Sequence, residues 1–508
     1  TTGSNNTGLG QGALQGNTTG ANNTAVGKAA LSVNTTGSDN IAMGKGTLDA
    51  NTTGASNTGI GHDALTSNTT ADNNTAVGYA SMLLNTTGAN NVAVGRDSLL
   101  SNTEGDENVV VGADALDANT TGSSNVAIGK SALGANTTAS SNTAVGATAL
   151  SANTTGSSNT AVGTNSSQNN TTGQNNSSFG VGALYNNTTA DGNTAIGKDA
   201  LYYNTTGASN TALGDSALET NSTASNNTGI GFNALFANTT GHNNTAVGNT
   251  SLDANTTGAY NTAVGGGSLT ANTTGVNNAT VGFQSMVQST TSSETSALGT
   301  YAMYGLTTGS SNVAIGYQTG HHGISTTTGS QNTFIGSYCG GSSASTSYQI
   351  VLGYNTLSVG ADHITLGRNT GNDRVYNAYT SNASWTRVSD ERYKENITSN
   401  TDCGLAFIND LNPVTFTWKA KADIDNTLPD YDAEATEPEH KKKMYGLIAQ
   451  EVKEALDKHN ITDFGGWDKE ESSGIQAVSQ EMFVHPLIKA VQELSAKVEE
   501  LESKLNGE

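Results

Sequence analysis

At 508 residues the chain exceeds what one conventional core organises, so more than one structural unit is expected. Its net charge of −22 argues against nucleic acid or an anionic membrane as partner, because both need a basic surface. Hydrophobic content of 34% with 61 glycines resembles a disordered, low-complexity chain, a reading that the register of the repeats excludes.

From the N-terminus, the glycine closing each Asn-Thr-Ala-Val-Gly-like phrase recurs every 17 residues, from Gly10 through Gly146 and Gly163 to Gly316, over 18 intervals without an insertion. Disordered sequence has no reason to hold such register, so the array is a solenoid. The unit runs Gly-x-x-Ala-Leu-x-x-Asn-Thr-Thr-Gly-x-x-Asn-Thr-Ala-Val, as in Gly146 to Val162. Two short β-prone phrases alternate with turn phrases rich in Gly, Asn and Ser, which predicts a parallel β-solenoid with two or three short strands per coil. Asn-Thr-Thr phrases then stack into ladders of side-chain hydrogen bonds. That role is a better reading of the phrase than N-glycosylation.

Apolar positions such as Leu150 and Val162 are few. A coil is therefore expected to bury little alone, and three chains to associate with their Ala-Leu or Val strips on a shared axis. The expected product is a rod of 19 regular coils, roughly 90 Å long at about 4.8 Å per coil. The unit also resembles the β-roll head of trimeric autotransporter adhesins. The array starts in mid-repeat with no signal peptide, so an upstream attachment region is expected.

Several departures from the repeat are candidate sites. Glu104, Asp106, Glu107 and Asp114 form an acidic patch, expected to be a solvated face rather than a calcium site. Ser166 and Ser167 replace the Ala-Leu pair and suggest a bulge or a groove. Tyr202, Tyr203, Tyr260, Tyr301, Tyr304 and Tyr317 could stack on sugars, although packing between coils or chains is the favoured expectation. After Gly316 the spacing changes to 20, 17 and 14 residues, at Gly336, Gly353 and Gly367, with His321 and His322 in the enlarged coil. A loop exposing this pair is expected rather than a metal site.

The solenoid is thus assigned to residues 1–370 and a connector to 371–388, leaving 389–508 as a C-terminal domain richer in charge. Pro413 to Trp418 reads as a strand, and 423–440 as an acidic loop. Lys443 to Val452 reads as a strand turning into a helix that continues through Leu456. Leu487, Val491, Leu494, Val498, Leu501 and Leu505 are spaced alternately four and three, the seam of a coiled coil over about 485–506. Lys489, Glu493, Lys497, Glu499 and Glu500 flank it and are expected to pair between chains. Cys339 and Cys403 are read as free thiols. No apolar run is long enough to insert in a membrane.

The opening Ser389-Asp390-Glu391-Arg392-Tyr393-Lys394-Glu395-Asn396-Ile397, the phrase Tyr445-Gly446-Leu447-Ile448-Ala449-Gln450-Glu451-Val452 and the terminal heptads occur in that order. Together they resemble the endosialidase-type intramolecular chaperone, the self-cleaving C-terminal domain of phage tail fibres and tailspikes. The family's usual opening has Leu where Tyr393 stands. The resemblance implies a mostly β fold: a trimeric solenoid rod followed by a small α+β chaperone ending in a coiled-coil helix. It implies Ser389 as nucleophile and Lys394 as its base in a single self-cleavage without external substrate, with Val388, Asp390, Arg392 and Asn396 as neighbours of the cut. By residue chemistry alone, Ser389 and Asp390 would equally serve as a helix cap. The expected partners are two further copies of the chain and a host-surface receptor, with a glycan as one candidate class, and no cofactor or metal. The expected location is a virion tail fibre, with a bacterial surface adhesin of the same build as the alternative. No paired carboxylates favour a glycan-cleaving enzyme.

Overall fold

A three-residue strand alternates outward, inward, outward, and Thr143-Ala144-Val145 does so with Ala144 buried, as do its equivalents from Thr24-Ala25-Val26 onward. The computed structural model describes residues 2–368, 374–378, 386–387, 391, 394–426, 428, 431–438, 442–470 and 474–507. The chain divides into two compact units, Thr1–Ser389 and Asp390–Glu508.

In the first unit, strands β1 (Thr7–Leu9) to β19 (Val313–Ile315) follow at 17-residue steps and pair in parallel with their equivalents, as Thr143, Ala144 and Val145 pair with Thr160, Ala161 and Val162. The longer coil leads to β20 (Thr333–Ile335), then β21 (Gln349–Gly353) and β22 (His363–Gly367), still parallel. The stretch read as a connector instead carries β23 (Arg374–Ala378) and β24 (Thr386–Arg387), which turn the sheet antiparallel at its end.

Each coil holds one strand rather than two or three. The Gly-x-x-Ala-Leu phrase is a run of turns, because Thr148 (φ 56°) and Leu150 (φ 50°) are left-handed. Such a conformation costs a non-glycine residue roughly 1–2 kcal/mol. It persists because it turns Leu150 inward, where it and Ala149 are fully buried. This corrects the expectation that the Ala-Leu strip faces a shared axis: the coil buries that pair within its own chain. The Val row is the one that faces out.

Asparagine carries the rest of the interior. Asn136 is fully buried; its Nδ2 donates to Asn119 Oδ1 (3.1 Å) and to the Ala139 carbonyl (3.0 Å), while its Oδ1 accepts from Asn153 (3.0 Å). The same link runs unbroken from Asn17 to Asn272. It stops where Ser289 stands in place of asparagine, leaving Asn272 Oδ1 without a partner. A second file passes through backbone amides, as Asn142 N to Asn125 Oδ1 (3.0 Å). Threonine adds a third, Thr120 Oγ1 donating to the Thr137 carbonyl (3.1 Å). The first Asn of Asn-Thr-Thr is therefore ladder, with no room for a glycan.

Ser166 and Ser167 make neither bulge nor groove. Both are buried and bond to Ser178 Oγ (2.6 and 2.8 Å), which replaces the inward alanine of the next strand, and the 17-residue register holds. The serines form a polar layer dividing the apolar interior into two runs, one ending at Ala161 and the other starting at Ala183.

In the second unit, α1 (Leu405–Asp410), β25 (Val414–Phe416), β26 (Met444–Gly446), α2 (Ala449–Lys458), the hairpin β27 (Trp467–Lys469) and β28 (Gln476–Val478), and α3 (Val484–Asn506) follow in order. Strands β25 and β26 pair antiparallel. Phe407, Val452, Leu456, Ile461 and Phe483 form the core, and Phe464 sits with its ring centroid 5.9 Å from that of Phe407 and 5.1 Å from that of Phe483. Helix α1 has no side-chain cap of its own. Glu493, on α3, accepts the Leu405 amide at 2.7 Å and supplies one. At the other end of α1, Asp410 accepts from Lys458 (2.8 Å) and His459 (2.6 Å). Lys458 and then His459 hold the Asp410 carboxyl below its usual range; the Leu405 amide does the same for Glu493.

Two expectations follow. Gly146 has φ 143°, and a Cβ there would meet the Gly163 carbonyl oxygen and lie 2.6 Å from its carbon. A Cβ at Gly156 would likewise press on the Gly173 carbonyl oxygen, but Gly156 lacks the positive φ and sits at a corner where alanine occurs naturally, at Ala71, Ala139, Ala190 and Ala224. Hydrogen exchange should therefore accelerate in the strands at 143–145 and 160–162 in Gly146→Ala and change far less in Gly156→Ala; equal effects would contradict the packing. Carboxylates with lowered pKa stabilise the fold above their unfolded pKa and lose that contribution as pH falls through the folded value. Protection of the Leu405 amide should accordingly fall below about pH 4, and Glu493→Gln should lower it already at pH 7. Protection unchanged from pH 7 to 3 would contradict the cap.

Candidate functional site

The boundary between the two units falls at the Ser389–Asp390 bond, inside the motif singled out in the sequence. Val388, Ser389, Asp390 and Arg392 lie outside the described residues. Of the remaining motif, Lys394 is exposed and its amide donates to the Glu391 carbonyl at 2.9 Å. Asn396 adopts a left-handed turn (φ 53°), and Ile397 beside it is exposed.

The second unit presents two apolar surfaces. Leu487, Val491, Leu494, Val498, Leu501 and Leu505 all lie on α3, and all are exposed, from 45% at Val498 to 87% at Leu505. A groove of about 480 Å³ is lined by Ile408, Val414, Tyr445, Leu447, Phe483 and Leu487, so the first seam residue is also on its lip. Each Leu or Val side chain moved from water into a core contributes about 1.5–3 kcal/mol. An isolated unit forgoes that along both surfaces.

The other candidates resolve within the solenoid. Asp106 accepts the Ala89 amide (2.7 Å), Glu107 accepts from Ser124 (3.3 Å), and Asp114 pairs with Arg96 (2.8 Å). Three of the four acidic residues thus bond to neighbouring coils while Glu104, Asp106 and Glu107 stay exposed, and no group of three potential metal ligands occurs among the described residues. His321 and His322 are half-buried rather than looped out, packed on Tyr304 and Tyr338 with ring centroids 4.9 and 4.6 Å apart. Tyr202 stacks on Tyr185 at 4.9 Å, while Tyr301, Tyr304 and Tyr317 join one aromatic run. Cys339 and Cys403 are free, buried thiols whose pKa burial pushes up. No helix among the described residues is long and apolar enough to cross a membrane.

What sequence reasoning missed is Glu493 as a cap, Asp410 with its two cations, and the groove. Their residues are scattered along the chain, and the heptad pattern offered a simpler role for Glu493.

Residues 389–461 match the model of a peptidase family described as chaperone of endosialidase. No curated protein and no solved structure matches the chain. The family implies self-cleaving peptidase activity in general terms. The chain is thus a β-solenoid of about 21 turns followed by a C-terminal region that matches the chaperone-of-endosialidase model, an arrangement that fits a tail-fibre or endosialidase-like protein.

Proposed function

We propose that the chain is a homotrimeric segment of a phage tail fibre or tailspike, carried on the virion, that attaches to a host-surface receptor. Its C-terminal chaperone aligns three copies and is then released by self-cleavage at Ser389. The observation that carries this reading is the exposed heptad row of α3, in a unit that has a buried core of its own around Phe407. Parallel helices cover such a row by knobs-into-holes packing.

The chemistry follows from the two motif residues. The Ser389 hydroxyl attacks the carbonyl carbon of an adjacent peptide bond, and its proton passes to the neutral amine of Lys394. The amine returns that proton to the departing amide nitrogen, and water hydrolyses the ester that remains. Because Lys394 is exposed in the single chain, assembly is the event that buries it and starts the reaction. Cleavage then reports a completed trimer, and it happens once per chain.

The repeats explain why a chaperone is needed. Shifting one chain by 17 residues against another replaces most contacts along the regular coils by near-identical ones, so the regular array does little to favour the correct alignment. Parallel non-local pairing is also slow to nucleate. A C-terminal clamp sets the alignment first, and the finished ladders hold it kinetically once the clamp has gone.

Wild type, Ser389→Ala and Lys394→Ala are compared by denaturing gel, mass spectrometry and sedimentation. Wild type should give trimers and two fragments, near 390 and 120 residues, and neither variant should be cut. A full-length wild-type trimer would contradict the cleavage; a monomer would contradict the whole reading. Leu494→Asp with Val498→Asp should abolish both trimer and cleavage while leaving the solenoid's β signal in circular dichroism unchanged.

A further inference from the structure

Five consecutive coils at the end of the array each contribute one aromatic ring to a zigzag. Phe283, Tyr317 and Tyr354 stand one residue after the coil-closing glycine, and Tyr301 and Tyr338 two residues after it, so the two positions alternate from coil to coil. Successive centroids are 5.7, 6.3, 5.3 and 5.8 Å apart, and each ring stands at 73–86° to the next. Tyr301 and Tyr338 are half-buried and left-handed (φ 58° and 61°), in a position filled elsewhere mainly by Asn, Asp, Ser, Thr, Ala and Gly. Phe283, Tyr317 and Tyr354 remain 49, 40 and 54% exposed.

Packing between coils accounts for the half-buried pair. It does not account for the three open rings, which recur every second coil, roughly 9.5 Å apart at the ordinary strand spacing. That interval is about the length of an extended disaccharide. From Gly275 to Ala361 the only Asp, Glu, Lys or Arg is Glu294, within a chain of net charge −22. Besides Glu294 only the half-buried His321 and His322 could offer a charge to a ligand here, whereas the flat C–H faces of neutral sugars suit ring faces. Gln318, whose Nε2 donates to the Tyr317 hydroxyl at 3.0 Å, places an amide beside the middle ring for sugar hydroxyls.

We infer that Phe283, Tyr317 and Tyr354 form a track for a linear, neutral, β-linked polysaccharide, one disaccharide per two coils. This rests on reading the solenoid as a display rod for attachment and supplies the chemistry of what it attaches to. The track holds its ligand without cleaving it.

The test is native-gel affinity electrophoresis of the full chain in gels containing hydroxyethylcellulose, glucomannan or, as a charged control, alginate. Wild type should be retarded by a neutral glucan and not by alginate. Tyr317→Ala with Tyr354→Ala should weaken retardation at least tenfold, and Tyr79→Ala, an exposed tyrosine elsewhere on the array, should leave it unchanged. Wild type indifferent to both neutral polymers, or a double variant retarded like wild type, would overturn the track. A double variant that loses its oligomeric state would instead make the rings a seam between chains, and also overturn it. A trimeric, self-cleaving wild type that ignores both glucans would sink this inference while leaving the proposed maturation intact.

Discussion

The hydrogen bond between equivalent side chains one coil apart is the constraint on which the solenoid rests. A primary amide sealed from water costs roughly 1–3 kcal/mol for a polar group left unpaired. Along the file the buried asparagines from Asn34 to Asn255 escape that cost because the coils before and after complete their bonds, and only at its end does Asn272 Oδ1 stay unpaired. Asn136, held by Asn119 and Asn153, would lose one of those bonds if either neighbouring coil frayed. A coil is consequently a poor structure alone and a good one in a stack, which is the behaviour expected of a repeat protein. The inward Ala-Leu pairs add apolar burial, and the closing glycines let successive backbones approach where any Cβ would collide.

The uniformity that makes the stack stable within one chain makes it uninformative between chains. Along the outer strand face, threonine and valine rows look much the same at every coil, and the serine layer near Ser178 is internal. Such a surface adheres without specifying where. The proposed division of labour follows: the array supplies ladders, and the C-terminal unit, with its non-repeating core and exposed heptads, supplies position. Glu493 and Asp410 fasten α1 to α3 and to α2 within the chain, so that the seam is presented from a defined support.

Much of this was legible in the sequence, for identifiable reasons. A strict 17-residue period fixes both the parallel pairing and its register, and the 20, 17 and 14 spacings after Gly316 reappear as the intervals to β20, β21 and β22. Helix α3 announced itself through its heptads. The second β phrase did not exist, because left-handed φ at Leu150 and its equivalents is a backbone property that hydrophobicity does not reveal. That same turn put the Ala-Leu pair inside, against the expectation of a shared axis. Helix α1 has six residues and borrows its cap from a glutamate 88 positions away, so it carries no local signal. Of the site, the family motif was readable, while Val388, Ser389, Asp390 and Arg392 fall outside the described residues.

The central claim is that alignment between chains comes from the C-terminal unit and not from the array. The most direct measurement places one spin label per chain at Thr155→Cys, with both native cysteines changed to serine, and records the distances between labels in the assembled protein. One narrow, short distance is expected in the parent. In the protein whose α3 seam carries aspartate at Leu494 and Val498, any residual assembly should show distances spread by whole coil rises, about 4.8 Å apart. The same single narrow distance in both would contradict the account, because the ladder would then be finding its own alignment.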